Sequence, residues 1–164
     1  MDSRNPDSSE LTEQMIEKYA DMVYRIAYSQ TKKKELAEDV FQEVFLRYLQ
    51  KGPSTADGEL HLKHWLIRVT VNRCHSLFSG SWFRKTAPLD DSLTFASPEQ
   101  NEVYTAVSEL PPKYRLVIHL YYYEGFSVAE IAEVLKSAEG TVKSQLYRGR
   151  SMLRQALKGD YDEL

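Results

Sequence analysis

The stretch that decides the fold is SVAEIAEVLKSAEGTVKSQLYRGRSMLRQAL, residues 127–157. Ser127 can cap a helix, and Glu130 stands three residues later, which is the spacing of a capping box. After a connector over residues 136–140, Val142, Leu146 and Leu153 recur at helical spacing. The pattern predicts a helix-turn-helix, whose second helix can enter the major groove of DNA. Helical hairpins of similar spacing also occur in proteins that bind no DNA.

Helical spacing of apolar residues continues on the N-terminal side of this stretch. It predicts helices over residues 60–78, 98–110 and 111–123, and two more near the start, with stripes made of Met15, Tyr19, Met22, Val23 and Ile26 and of Leu36, Val40, Phe41, Val44, Phe45, Tyr48 and Leu49. No segment alternates like a strand beyond a few residues, so the fold class is all-α.

Composition changes sharply in the middle of the chain. Residues 86–110 hold five acids and no Lys or Arg, with two prolines and several serines in the first half. We therefore predict two small helical domains, residues 1–85 and 98–164, joined by a flexible acidic linker over residues 86–97.

The net charge of the 164 residues is −3, which taken alone argues against binding nucleic acid. The charges are, however, unevenly distributed along the chain. Residues 60–85 carry five cations and no acid, and residues 136–158 carry six cations against Glu139 alone. Each domain thus has one segment of charge +5, typical of a nucleic-acid surface, although a solvated basic helix face is the plain alternative.

Three motifs resemble the extracytoplasmic-function sigma factors, the compact branch of the sigma-70 family. AEDVFQEVFLRYLQ is similar to their region 2.2, HLKHWLIRVTVNRC to the region that follows, and the segment from LPPKYRLV to the end of the helix-turn-helix to their region 4. The resemblance covers residues 11–157 and implies a promoter-specificity subunit that binds core RNA polymerase, selects promoters and helps to open DNA.

The resemblance assigns the recognition helix to the −35 promoter element. The residues it implies there, together with one further cation on the exposed side, are Glu139, Gly140, Thr141, Lys143, Ser144, Tyr147, Arg148 and Arg150. Lys143 and Arg148 suit guanine edges or phosphates, and hydroxyls at a helix N-terminus suit a phosphate. Gly149 stands where relatives often have Ala, which predicts a looser C-terminal half of this helix.

The resemblance assigns the basic segment of the first domain to the −10 element, where unpaired bases are captured. Asn72 matches a position that reads a flipped base, the loop over residues 52–62 is the expected pocket wall, and the candidates for backbone contacts are Lys63, Arg68, Arg73, Arg84 and Lys85. Many relatives carry an Arg-rich run after the Asn, whereas this chain has His75 and then SLFSGS, so its −10 preference and melting strength stay open.

The resemblance assigns the region 2.2 helix to core polymerase. The implied contacts are Glu38, Asp39, Gln42, Glu43 and Arg47. An acidic, amide-bearing face suits a basic protein partner and is repelled by DNA. The same acids near a helix start also favour the helix dipole.

Catalytic and cofactor motifs are weak by comparison. His61 and His64 lack a clear third metal ligand and are expected at the surface, Cys74 has no orienting acid, and no phosphate-loop or HExxH motif occurs. We predict no enzyme activity and no cofactor. The polar start and the absence of a long apolar run predict a cytoplasmic protein.

The expected partners are core RNA polymerase, promoter DNA and an anti-sigma factor, often membrane-anchored, with no small-molecule substrate. The alternative is a stand-alone helix-turn-helix regulator, which explains the second domain and leaves the first without a purpose.

Overall fold

The computed structural model describes residues 6–79 and 101–161, and within these ranges it contains helices and no strand. The first range holds α1 (Pro6–Thr31), α2 (Lys34–Lys51), a short 3-10 turn (Thr55–Asp57) and α3 (Glu59–Ser79). The second holds α4 (Glu102–Ser108), α5 (Pro112–Ile118), a π-helical turn (His119–Tyr123), α6 (Val128–Leu135) and α7 (Glu139–Tyr161). The all-α prediction is confirmed. The predicted linker lies outside the described residues.

Helices α1, α2 and α3 form a first bundle in which each packs on the other two. Its centre is made of β-branched and long aliphatic side chains that are removed from solvent, among them Val23, Ile26, Val40, Val44 and Ile67. These positions recur at three and four along each helix, as the sequence predicts. Val69, Thr70 and Val71 are β-branched, which favours a strand, but they lie within α3 because this helix packs against both α1 and α2.

Helices α4 to α7 form a second bundle built around α7. Asn101 caps α4 by accepting a hydrogen bond from the amide of Tyr104, and Pro112 occupies the first turn of α5, where a missing N–H costs nothing. The predicted capping box is present at α6, since the Ser127 hydroxyl accepts from the amide of Glu130 and the Glu130 carboxylate accepts from the amide of Ser127. Local chemistry therefore sets where these helices begin.

Several helix ends differ from the predicted ones. The helix expected over residues 98–110 spans Glu102–Ser108, and the recognition helix begins at Glu139 instead of Thr141. The connector before it is shorter because α7 begins two residues early, whereas α6 ends at Leu135 as predicted, with Lys136 in the left-handed conformation at φ of 52°.

Two expected positions were wrong. Leu49, expected in the buried stripe of α2, is 61% exposed because it has turned past the edge of the face that contacts α1 and α3. His64, expected at the surface, is 7% exposed and lies 6.3 Å, ring centre to ring centre, from Phe126. The side of α3 that carries His64 is covered by the second bundle, which the sequence pattern of α3 does not reveal.

The two bundles pack against each other through α1 with α5 and through α3 with α6, and their buried residues form one continuous cluster. Arg115 of α5, only 4% exposed, donates from Nη2 to the carbonyl of Gln30 in α1 at 3.1 Å. Arg25 of α1 makes a two-point contact with Glu124, with Nε–Oε1 at 2.7 Å and Nη2–Oε2 at 3.2 Å. Polar contacts therefore join the bundles in addition to apolar packing.

Gly149 lets α7 approach α5 closely. A Cβ at this position would lie 3.0 Å from Ile118 Cγ1 and 3.2 Å from Ile118 Cδ1, whereas a Cβ at Gly140 would meet nothing within 4 Å. Close packing against Ile118 therefore explains why a glycine stands at position 149. The sequence alone had suggested only that glycine loosens the C-terminal half of this helix.

We expect Gly149→Ala to lower the free energy of unfolding by about 1 kcal/mol, because overpacking against Ile118 outweighs the gain in helix propensity. Gly140→Ala, the matched control on the same helix, should leave stability unchanged or raise it by up to about 1 kcal/mol. Urea unfolding followed by circular dichroism measures both. A stabilised Gly149→Ala would show that Ile118 yields freely.

Candidate nucleic-acid and polymerase interfaces

Helix α7 separates an apolar side from a polar side. Val142 and Leu146 are buried and Leu153 packs against the core, which confirms the inward face predicted from the sequence. All the predicted −35 residues are exposed: Glu139, Gly140, Thr141, Lys143, Ser144, Tyr147, Arg148 and Arg150. The structure thus brings them together along one helix that a duplex can reach.

Two cations of α7 are oriented by tyrosines. The Arg148 guanidinium acts on the Tyr114 hydroxyl and is the main reason that the pKa of Tyr114 is lowered. The Nε of Arg150 donates to the Tyr122 hydroxyl at 2.6 Å, and its guanidinium lies over the rings of Tyr121 and Tyr122. A guanidinium held in place loses less side-chain entropy when it contacts a phosphate. Tyr122 is 55% exposed. Its contact with Arg150 was not predicted, although the run of three tyrosines stands out in the sequence.

We expect Arg148→Ala to weaken binding to a duplex carrying the cognate −35 element by about 1–3 kcal/mol, since a cation at the interface is lost. Fluorescence anisotropy at fixed salt, with core polymerase present, measures the change. Arg154→Ala, further along α7 and also exposed, is the control and should have a smaller effect. Equal losses in the two variants would remove Arg148 from the interface.

The predicted −10 residues of α3 are not all free for DNA in this arrangement. Asn72 is exposed. Arg68 donates from Nε to the carbonyl of Val134 in α6 at 3.4 Å, and the Nζ of Lys63 lies 4.6 Å from the centre of the Phe126 ring. Arg84 and Lys85 lie outside the described residues. Two of the candidate DNA cations therefore contact the second bundle.

Arg73 joins the predicted −10 set to the predicted polymerase set. Its Nε lies 2.5 Å from Glu43 Oε2 in α2, while Arg47 Nη2 lies 3.2 Å from Glu43 Oε1. Glu43 is thus shared by two arginines, one on its own helix and one on α3. The contact orients α2 against α3, and sequence spacing gave no sign of it.

The rest of the predicted polymerase face lies on the outside of α2. Asp39 and Gln42 are exposed, and Glu38 is 3.9 Å from Lys34 one turn earlier. Leu46 is 54% exposed and follows Asp39 and Gln42 at helical spacing, so it lies at the centre of this face. Leu46 was missed because it was considered neither core nor charged. Leu46 is one of several exposed aliphatic side chains, and its distinction is its place among the predicted polymerase contacts.

The described ranges contain one cysteine and several histidines and acids, which are the residue types of metal sites and nucleophiles. No group of three or more His, Cys, Asp or Glu residues in them could hold a metal ion. Burial raises the pKa of the Cys74 thiol to about 12, which makes it a poor nucleophile. None of the described helices is long and apolar enough to span a membrane.

Comparison with known proteins agrees with both bundles. The family model of sigma-70 region 2 matches residues 15–84, and that of sigma-70 region 4 matches residues 100–153. The fold resembles that of the sigma factor RpoE in complex with the anti-sigma factor NepR from Bartonella quintana, with a TM-score of 0.70, 24% identity and coverage of 89% of this chain and 96% of that one. CnrH in complex with the cytosolic domain of CnrY gives a TM-score of 0.69 at 20% identity, over 93% of this chain and 91% of that one.

Fold and matched regions together define a protein of the sigma-70 class. Among similar sequences, the ECF RNA polymerase sigma factor SigL of Mycobacterium tuberculosis is 31% identical over 88% of this chain and 87% of its own length. SigW of Bacillus subtilis is 29% identical over the same shares of the two chains. SigE of Mycolicibacterium smegmatis is 31% identical, and this chain spans 61% of its length. The chain belongs to the ECF RNA polymerase sigma factors.

Proposed function

We propose that this protein binds core RNA polymerase, directs it to specific promoters and helps to open the DNA. The observation that carries the proposal is the division of its exposed surface among three faces. One is the polar side of α7, the second is α3 around Asn72, and the third is the acidic face of α2 centred on Leu46. Each lies in a segment that matches a sigma-70 region.

The two DNA-binding faces suit different forms of DNA. On α7, hydroxyls in the first turn and arginines held by tyrosines suit the phosphates and base edges of a duplex. On α3, Asn72 is exposed beside basic side chains. An amide suits the edge of an unpaired base, and the cations suit the phosphate backbone of the single strand. The proposed order along the promoter is α7 at the −35 element and α3 at the −10 element.

The packing of the two bundles bears on when the protein can bind a promoter. Arg68 and Lys63, both candidates for the −10 element, contact the second bundle through Val134 and Phe126. We infer that promoter engagement separates the bundles. The similar structure of RpoE is a complex with the anti-sigma factor NepR, and an anti-sigma partner that holds the bundles together is part of the proposal.

We propose that the protein acts in the cytoplasm, where core polymerase lies, and that it supplies no catalysis of its own. Bond formation between nucleotides belongs to the polymerase. The residues proposed to meet polymerase are Asp39, Gln42 and Glu43 around Leu46, with Glu38 and Arg47 at the margins.

We expect Leu46→Arg to weaken the complex with core polymerase by about 10-fold or more, because it places a charge at the centre of the face. Val103→Arg is the matched control, since Val103 is a similarly exposed apolar residue, 47% exposed, on α4. Co-purification with core polymerase at increasing salt measures both. Loss of the complex in both variants, or in neither, would contradict the assignment of α2.

The same experiment on the unaltered chain separates the proposal from its rival. A sigma factor forms a stable complex with core polymerase and supports transcription from a cognate promoter. A stand-alone regulator binds duplex DNA and forms no such complex, so failure with an active core preparation would favour the regulator.

A further inference from the structure

A cavity between the bundles is lined by none of the residues assigned to DNA or polymerase. It has a volume of about 320 Å³ and lies between α1 and the helices α4 and α5. Its lining contains three tyrosines, three hydroxyl side chains of Ser and Thr, and three basic residues: Tyr28, Tyr104, Tyr123, Ser29, Ser108, Thr105, Lys32, Arg115 and His119, together with Val107. No described lining residue is an acid.

Arg115 is the unusual member of this lining. It is 4% exposed, and its guanidinium is bonded to backbone carbonyls, with Nη1 at 2.8 Å from Leu110 O and Nη2 at 3.1 Å from Gln30 O. Its Nε has no hydrogen-bond partner among the described residues. A buried guanidinium without a carboxylate is unusual, since buried charges are normally paired. Arg115 thus brings to the wall of the cavity a positive charge without a carboxylate partner, and its Nε is a buried donor with no acceptor among the described residues.

Lys32 adds a second cation. It ends α1 with φ of 56°, so its backbone conformation is fixed where the chain leaves the helix. Lys32 and Arg115 line the same cavity, and burial together with the positive charge of Arg115 lowers the pKa of Lys32. Glu109 opposes this shift, and Glu124 is engaged by Arg25 and lies 3.5 Å from His119. An anion between the cations would relieve the repulsion.

The tyrosines supply donors and flat apolar surface. Burial, and then the neighbouring tyrosines, raise the pKa of Tyr104 to about 12, so its hydroxyl keeps its proton and can donate a hydrogen bond. Tyr123 stacks on His119 with ring centres 5.3 Å apart. Phosphate oxygens accept bonds from guanidinium, ammonium and hydroxyl groups alike. Aromatic walls suit the organic part of a ligand, and the volume suits a small one.

We propose that this cavity binds a small phosphate-bearing molecule, with Arg115 and Lys32 holding the phosphate and the tyrosine rings contacting the rest. The ligand would touch α1 of the first bundle and α4 and α5 of the second. By linkage, its binding favours the packed arrangement of the bundles. The proposal concerns a site separate from those that meet DNA and polymerase, and it does not depend on their assignment.

The test is calorimetric titration of the full chain with pyrophosphate, with ADP, and with adenosine as the uncharged match for ADP. Pyrophosphate or ADP should bind with one-to-one saturation, and adenosine should bind at least about 10-fold more weakly, because charge-assisted bonds are lost. The bound phosphate should also raise the midpoint of thermal unfolding.

Two matched variants locate the site. Lys32→Asn and Lys136→Asn each remove one exposed lysine that ends a helix with positive φ, 56° and 52°, and Asn tolerates that conformation. Lys32→Asn should weaken phosphate binding by about 10-fold, and Lys136→Asn should leave it within about twofold. Tyr104→Phe should weaken it as well, and circular dichroism checks that each variant is folded.

Three results would overturn the proposal. The first is no saturable binding of pyrophosphate or ADP at millimolar concentration. The second is an equal loss of affinity in Lys32→Asn and Lys136→Asn, which would indicate general surface charge. The third is binding of adenosine as tight as that of ADP, which would show that the cavity takes an aromatic ring and not an anion.

Discussion

Replacing Arg115 by Met will lower the free energy of unfolding by about 3 kcal/mol. Methionine keeps much of the volume, so the loss reports the hydrogen bonds. The guanidinium of Arg115 donates to Leu110 O at 2.8 Å, Gln30 O at 3.1 Å and Ser108 O at 3.3 Å. Bonds from a charged donor are worth more than neutral ones, and buried carbonyls that lose a partner carry a desolvation cost.

Part of this loss is offset because Arg115 is itself expensive to bury. Burial lowers the pKa of Arg115, which is the sign of a charge held away from water. We expect the lost bonds to dominate, since three carbonyls from both bundles converge on one group. Arg154→Met, at an exposed position of α7, is the control and should change stability by less than about 0.5 kcal/mol. If the Arg115 and Arg154 variants unfold at the same urea concentration, Arg115 does not hold the bundles together.

Replacing Glu124 by Gln will lower the free energy of unfolding at neutral pH by about 2 kcal/mol, because a charged acceptor is lost while Arg25 and His119 remain. The side chain of Glu124 is 3% exposed, whereas that of Arg25 is 51% exposed. Arg25 can therefore regain water, which keeps the loss below that for a fully buried pair.

The pH dependence of Glu124 gives an independent check. Burial alone would raise the pKa of this carboxyl, but the neighbouring His119 ring and the hydrogen-bonded Arg25 guanidinium outweigh burial and lower the pKa below its ordinary 4.5. A carboxyl with a lowered pKa in the folded state contributes stability above its unfolded pKa and loses that contribution as pH falls through the folded value. The unaltered protein should thus lose stability below about pH 4.5, and Glu124→Gln should show a shallower acid slope. Identical slopes would mean that Glu124 titrates as it does in the unfolded chain.

The helix-turn-helix could be predicted from the sequence because its determinants are local. A capping serine and its glutamate lie three residues apart, and the inward residues of α7 recur one turn apart. Spacing of this kind fixes which face of a helix is buried without reference to the rest of the molecule. The exposure of every predicted −35 residue follows from that face.

The packing of the two bundles could not be predicted in this way. Arg25 and Glu124 are 99 residues apart, and Arg115 and Gln30 are 85 apart. Arginine, glutamate and glutamine are common on any protein surface, and only the fold brings these particular residues together. His64 illustrates the same limit, because one helix shows its own apolar stripe and not a second face covered by another bundle. The pairing of Arg73 with Glu43 likewise joins residues that sequence reasoning had given to different partners.

The central claim, that the chain is a promoter-specificity subunit, is tested most directly by transcription in a purified system. Core polymerase is mixed with the protein and with a template carrying a promoter mapped after its induced expression. We expect transcripts from that start site only when the protein is present, with a strong reduction for Asn72→Ala and for Leu46→Arg and little change for Val103→Arg. If active core polymerase forms no complex with the protein and yields no specific transcript, the protein is not a promoter-specificity subunit.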